Sequence, residues 1–272
     1  MTRLLPPLAA AALAAASCAP TPAFDPASGH LAAAPASPLL AAGGARQFQA
    51  CRKRRKASTD PAHLAQVNRV VSRLGAVAPQ AGGQPWEVAV FDDPKPNAFA
   101  LPGGKIGVHS GLFPITRDDA GLAAVLSHEM AHVSLNHAQG KINRATGITI
   151  GALVLDAVLQ TYGVASAARA AAAATWGLGS ATGVILPYSR RAETQADQLG
   201  LLLMARAGYD PRAAVAMWRR FADRRQRAGK PTVPGFLRTH PLDASRIRAI
   251  EDYLPVALRE YRRRPAVPPA RR

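Results

Sequence analysis

The chain has 272 residues, 48% of them hydrophobic, with a formal net charge of +17 and a pI near 11.2. That length holds a short targeting segment and one sizeable domain. The charge invites a nucleic-acid reading, but its excess sits in Arg52-Lys53-Arg54-Arg55-Lys56, in 219–230 and in the tail from Tyr261, without a nucleic-acid fold motif. Nucleic acid is therefore not an expected partner. Anionic lipid headgroups or acidic envelope polymers suit the charge better, and solvated arginine-rich faces are the plainest account.

The chain opens as an export signal does. Arg3 precedes an uncharged Leu/Ala/Pro run from Leu4 to Ala16 that is too short to span a bilayer. Ala15-Ala16-Ser17-Cys18 resembles a lipobox, which makes 1–17 a signal peptide and Cys18 the lipidated N-terminus. Plain cleavage after Ala16 and a soluble periplasmic protein form the competing reading. Ala19, in place of an aspartate, favours the periplasmic face of an outer membrane for the anchor. Cys51 is the only other cysteine, so no disulfide framework is expected unless an unprocessed Cys18 pairs with it. Residues 18–58, rich in Ala, Pro and Gly, read as a disordered tether. A domain over 59–256 and a basic Pro/Arg-rich tail over 257–272 follow.

Within the domain, Trp86–Phe91 alternates as a strand does, and Gly103-Gly104 before Lys105–His109 suggests a hairpin. An exposed edge there would pair with an extended peptide. Thr116-Arg117-Asp118-Asp119 resembles a capping box, with the Thr116 hydroxyl as cap. Leu122, Val125, Leu126, Met130 and Val133 then recur at helical spacing up to a stop at Gly140, a helix of roughly 20 residues.

That helix carries His128-Glu129-Met130-Ala131-His132, an H-E-x-x-H string. Histidines four residues apart share a helix face, so both imidazoles reach one metal ion, with Glu129 beside them. Zinc held by three protein ligands with one open position polarises a carbonyl and lowers the pKa of its water to about 7. A third ligand is therefore expected downstream. His137 falls five residues beyond His132. On a continuing helix it sits about 140° around, out of reach, as a supporting residue. Glu193 and Asp197 lie four apart at the head of an apolar run. Zinc and its imidazoles would compensate two carboxylates on that face, Glu193 as ligand and Asp197 accepting an N–H from a ligand histidine. A solvated acidic pair near Arg190 and Arg191 is the competing reading. Between the two helices, 147–187 is Gly- and Ala-rich and broken by Asp156 and Arg169. It reads as a mobile helical hairpin or lid, near the site or at a membrane surface, in preference to a transmembrane hairpin.

Further motifs join these. Asn97-Ala98-Phe99-Ala100 with Pro102-Gly103-Gly104 precedes the H-E-x-x-H helix; Ala207-Gly208-Tyr209-Asp210-Pro211 and Thr239-His240-Pro241 with Arg246 follow the E-x-x-x-D pair. In this order the motifs resemble the M48 peptidases, the gluzincin group of bacterial envelope proteases and Oma-like relatives. The resemblance implies an α+β, mostly helical, zincin-like domain with a small antiparallel sheet packed near the catalytic helix. It implies one zinc ion per chain on His128, His132 and Glu193, with Glu129 as general base. His240 is then either a donor to the developing oxyanion or a plug on the metal. Arg246 steadies that segment or pairs with a carboxylate. Asn97, Ala98 and Phe99 lie beside the substrate, although Asn97 also suits a turn after Pro96. The implied activity is an endopeptidase on unfolded or misassembled envelope polypeptides, held at the membrane surface by a lipid anchor. The alternative is a chaperone-like or peptide-binding lipoprotein with a latent or structural zinc site.

Overall fold

A computed structural model describes residues 23–32, 37–78, 85–227, 236, 239–241 and 244–263. In chain order it contains β1 (Ala23–Asp25), β2 (His30–Ala32), α1 (Pro38–Arg54), α2 (Pro61–Gly75), β3 (Glu87–Phe91), β4 (Ala98–Leu101), β5 (Lys105–His109) and α3 (Phe113–Thr116). There follow α4 (Asp119–Ser134), α5 (His137–Thr161), α6 (Ser166–Ser180), α7 (Leu186–Arg206), α8 (Arg212–Arg227) and α9 (Ala244–Arg262). The described residues of Pro22–Asn136 and of Glu193–Arg272 form a larger unit, and His137–Ala192 belong to a smaller one. The proposed signal peptide and Cys18 lie outside the described residues.

The larger unit is organised around α4, against which α2, α3, α8 and β4 all pack. Nearly every α4 residue from Gly121 to Ser134 is buried, as befits a helix that is apolar all round. Both of its ends differ from the sequence expectation. Asp118, not Thr116, is the cap: its carboxylate accepts the Gly121 N–H, while the Thr116 hydroxyl bonds back to the carbonyls of Leu112 and Phe113. The helix stops at Ser134 because Asn136 takes the left-handed conformation, φ 52°, that was assigned to Gly140. His137 therefore begins α5 and does not extend α4.

The sheet has the order β3-β5-β4. Gly103 and Gly104, at φ 83° and 73°, close the β4–β5 hairpin, which is antiparallel as expected. β3 and β5 run parallel, so the sheet is mixed and not antiparallel throughout. The chain leaving β3 passes the place of β5 and builds the outer strand first; the hairpin then returns β5 into the gap, in the direction of β3.

Among the described residues of 18–58, docked elements stand where a tether was expected. Ser37 caps α1 by accepting the Leu40 N–H, and Pro38 occupies its first turn. This helix buries Gly44 and Phe48 and packs on β4 and β5. The basic run at its C-terminal end pairs with β3 and the residues just after it, Arg52 with Glu87, Arg55 with Asp93 and Lys56 with Asp92. Each pair is largely exposed and worth under about 1 kcal/mol, so they orient the segment more than they hold it. The β1–β2 hairpin is also docked: Arg206 donates to the Gly29 carbonyl and the Tyr253 hydroxyl to that of Pro26. At the other end α9 runs to Arg262 with Ala257 buried, so no tail begins at 257.

In the smaller unit, α5 and α6 pack along each other through a turn with Gly163 at φ 72°. That is the expected helical hairpin. Among the described residues α5 is the one helix long and apolar enough to cross a membrane.

Candidate metal centre

The sequence sets the site by letting α7 and α4 approach closely. A Cβ on Gly200 would stand 3.2 Å from the His128 nitrogen and 3.3 Å from its Cα, so only glycine suits this crossing without a shift. Asp197 and Glu193 lie three and seven residues before Gly200, hence on the same α7 face, toward α4. His128 Nε2 and His132 Nε2 are 3.1 Å apart. Glu193 Oε2 lies 3.4 Å from the first and Oε1 3.5 Å from the second. The turn in which the His240 N–H donates to the Phe236 carbonyl adds a third imidazole. His240 Nδ1 is 3.1 Å from both His128 Nε2 and Glu193 Oε2.

These four residues each offer a ligand atom within 4.8 Å of all the others. The spacing tests whether a metal fits. Zinc with N and O ligands about 2.0–2.1 Å away sets tetrahedral edges of roughly 3.3–3.4 Å. The separations above, 3.1–3.5 Å, bracket that edge. Lone pairs crowded this closely repel unless a cation or proton lies among them, so the donor set suits a metal in chemistry as well as distance.

Glu129 is 4% exposed. Its Oε2 accepts the Ala100 N–H at 3.0 Å, from the edge strand β4. Its Oε1 lies 3.1 Å from His240 Nε2 but off the angle of a hydrogen bond, and has no hydrogen-bond donor among the described residues. One oxygen is pinned and the other is left for a proton to be moved.

Behind the ligands, Asp197 Oδ1 lies 2.9 Å from His128 Nδ1. A carboxylate there holds the proton on Nδ1 and turns the Nε2 lone pair to the metal side. Arg246 meets Asp197 with Nε at 2.7 Å and Nη2 at 2.9 Å, and brings Nη1 to 2.9 Å from Glu193 Oε2. Burial alone would raise both carboxyls. Hydrogen bonds with His128 and His240 outweigh it for Glu193, and the Arg246 charge outweighs it for Asp197, so both are held below the usual carboxylate range. Burial alone would lower the His240 imidazole; Glu129 and Glu193 on either side push it up to about 10.

Residues 61–254 match the model of peptidase family M48. The chain belongs to that family. M48 metallopeptidases are metal-dependent. The chain is 39% identical over 191 residues to the mitochondrial metalloendopeptidase OMA1 of Schizosaccharomyces pombe, covering 70% of this chain and 53% of that protein. It is 33% identical over 192 residues to the beta-barrel assembly-enhancing protease of Yersinia pestis, covering 69% and 38%. Human mitochondrial metalloendopeptidase OMA1 is 29% identical over 199 residues, covering 72% and 36%. The chain thus spans about half the length, or less, of the curated relatives it matches.

Of the residues read from the sequence, His128, His132, Glu193, Glu129, Asp197, His240 and Arg246 all meet at this M48 centre. The segment before α4 contributes differently. The Ala98 side chain is in the core, and the Phe99 ring lies over Gly107, which has no room for a Cβ beneath it. The Asn97 carbonyl accepts the His109 N–H, one step beyond the β4–β5 ladder, so its backbone extends the strand pairing. What this segment gives the M48 centre is backbone, the Ala100 amide on Glu129. His137 is not one of the four convergent donors and begins α5.

Three residues of the centre escape sequence reasoning. Trp218 underlies Arg246, with its ring 4.5 Å from the guanidinium, and faces His128 edge-on at 5.6 Å. Phe236 stacks on His240 at 4.8 Å. Ala100 acts through its amide alone. The only signal for Trp218 is its place in an apolar stripe, which reads as ordinary core; Phe236 carries none, and Ala100 carries only its place in the Asn97–Ala100 motif, which says nothing of its amide.

Proposed function

We propose that this chain is a zinc-dependent endopeptidase, with the metal held by His128, His132 and Glu193 and with Glu129 as general base. The observation that carries this is the state of Glu129, buried beside the convergent donors with one oxygen pinned by Ala100 and the other facing His240 Nε2 without a hydrogen bond. Zinc bound there supplies Lewis-acid polarisation of the scissile carbonyl and makes a water more acidic. Glu129 takes a proton from the attacking water and delivers it to the departing amine. Asp197 fixes the His128 tautomer, and Arg246 keeps Asp197 and Glu193 ionised and in place. Strand β4, at the edge of the sheet and hydrogen-bonded to Glu129, is suited to pair with an extended peptide backbone. Such pairing has little sequence preference, which supports unfolded polypeptides as substrates.

His240 favours a second state of the same centre. Its Nδ1 stands among the ligand atoms, so four protein ligands close the site as a structural zinc site is closed. In this reading His240 is a plug that must swing out before substrate enters. Loss of the ring in His240→Ala then raises turnover; a fall would assign it the oxyanion-donor role instead.

We place the protein in the bacterial envelope, anchored through Cys18 at the periplasmic face of the outer membrane, acting on misfolded or misassembled envelope proteins. The lipobox-like Ala15-Ala16-Ser17-Cys18 and the name of the Yersinia relative support this. Mass spectrometry of the mature N-terminus distinguishes acylated Cys18 from a free terminus at Ser17.

The function itself is tested by removing the metal. Chelated protein should lose cleavage of an unfolded protein substrate and recover it with one equivalent of zinc, whereas His132→Ala should not recover. Full turnover by the chelated protein would overturn the reading.

A further inference from the structure

We infer that the α5–α6 hairpin is a lipid-inserting element that enters an anionic bilayer tip first. This rests on the smaller unit alone and is independent of the peptidase reading. A helix of a water-soluble fold buries one apolar stripe. Here no residue of α6 is buried, and α5 buries only His137, Gln139 and Gly140 at its start. Leu153 and Leu178 are 62% and 70% exposed, and Val154, Val158 and Tyr162 are exposed with them.

Several polar side chains of the hairpin are satisfied from within it; Gln160, Tyr162 and Ser166, near the tip, are not among them. The hydroxyls of Thr149, Thr161, Thr175 and Thr182 each donate to the carbonyl four residues before them. The Trp176 indole N–H donates across the hairpin to the Ile148 carbonyl. Asp156 and Arg169, the only charged residues between Arg144 and Arg190, neutralise one another at 2.9 Å. Water makes such bonds optional for exposed groups; hydrocarbon makes them necessary. Lys141 and Arg144 stand at the start of α5, and past α6 Arg190 and Arg191 stand in the first turns of α7, with no acidic residue among them in the smaller unit. That is the charge distribution anionic headgroups attract, and long basic side chains keep their ends at the interface. From Arg144 to the turn at Gly163 the first arm rises roughly 28 Å, close to the thickness of a hydrocarbon core.

A bilayer fits these observations better than a second copy of the chain. A protein partner covers one face, whereas exposure here runs around both helices, and only lipid meets all sides at once.

The test uses the full-length Cys18→Ser chain, so that no acyl anchor contributes, with vesicles of phosphatidylcholine alone or with phosphatidylglycerol. The protein should float with the anionic vesicles, and quenchers attached to the acyl chains should dim Trp176. Trp176→Phe identifies that signal among the three tryptophans. Leu153→Asp with Leu178→Asp should cut vesicle partition at least tenfold while circular dichroism and melting of the larger unit stay unchanged. Binding that survives the leucine changes with Trp176 unquenched would be attraction by surplus positive charge, and would overturn the inference. So would a dimer that these changes make monomeric without altering vesicle binding, or no vesicle binding at all.

Discussion

Around His128, charged groups are buried among apolar side chains; along α5 and α6, apolar side chains stand exposed around a single ion pair. In the first region Glu193 and Asp197 are each covered by an imidazole and by Arg246, so no charge is left without a counter-charge. In the second, Asp156 and Arg169 cancel, and the threonines answer their own helices. Both regions obey one rule, that a polar group outside water must find its partner in the protein. They differ in what a substitution removes. At the centre it leaves a buried charge unpaired, whereas on the hairpin in water it leaves nothing unpaired.

Asp197→Asn is the largest expected break in this comparison. It takes one of the two carboxylates from the buried Arg246, leaving Glu193 alone, and replaces the charged acceptor of His128 by a neutral amide oxygen, so stability should fall by up to about 3–5 kcal/mol. Metal affinity should fall about 10–100-fold. Denaturant unfolding and competitive zinc titration read the two effects, and a variant with wild-type metal affinity would remove Asp197 from its positioning role. A pair of leucines sharpens the contrast next. Leu199→Ala, fully buried, should cost about 2–5 kcal/mol, while Leu178→Ala, 70% exposed, should stay within about 0.5 kcal/mol in detergent-free buffer. Equal costs would make the hairpin part of a core.

The smallest effect lies at the head of α4, where Arg69 meets Asp119 at 2.6 and 2.8 Å. The hydrogen bond from Arg69 holds the Asp119 carboxyl below the usual carboxylate range. A depressed folded-state pKa gives stability that is present above the unfolded value and lost as pH falls through the folded one. Asp119→Asn should therefore cost at most about 1 kcal/mol near neutral pH, given the half-exposed partner. Its melting curve should converge with the wild type in acid; a gap that persists there would show that the ion pair is not the cause.

The parts of the centre legible in the sequence are those set by local helix geometry. His128 with His132, and Glu193 with Asp197, need only a four-residue spacing to share a face, and the folded chain keeps both pairs. His240 and Arg246 reach His128 from 112 and 118 residues away, and no local pattern predicts such a meeting; the resemblance to the M48 motifs singled them out. The ends of α4 differ from the sequence expectation because Asp118 and Asn136 do what Thr and Gly do elsewhere. Helix α1 hid in Ala- and Gly-rich sequence because it needs to bury only Gly44 and Phe48 to dock. The direction of β5 relative to β3 depends on which strand takes the edge, which alternation along a strand does not encode.

Glu129→Gln tests the central claim most directly, because it changes one atom of the side chain and none of the metal donors. The account predicts one zinc per chain, as in the wild type, with cleavage of an unfolded protein reduced by about 10²–10⁴-fold. Undiminished cleavage by the zinc-loaded variant would contradict it.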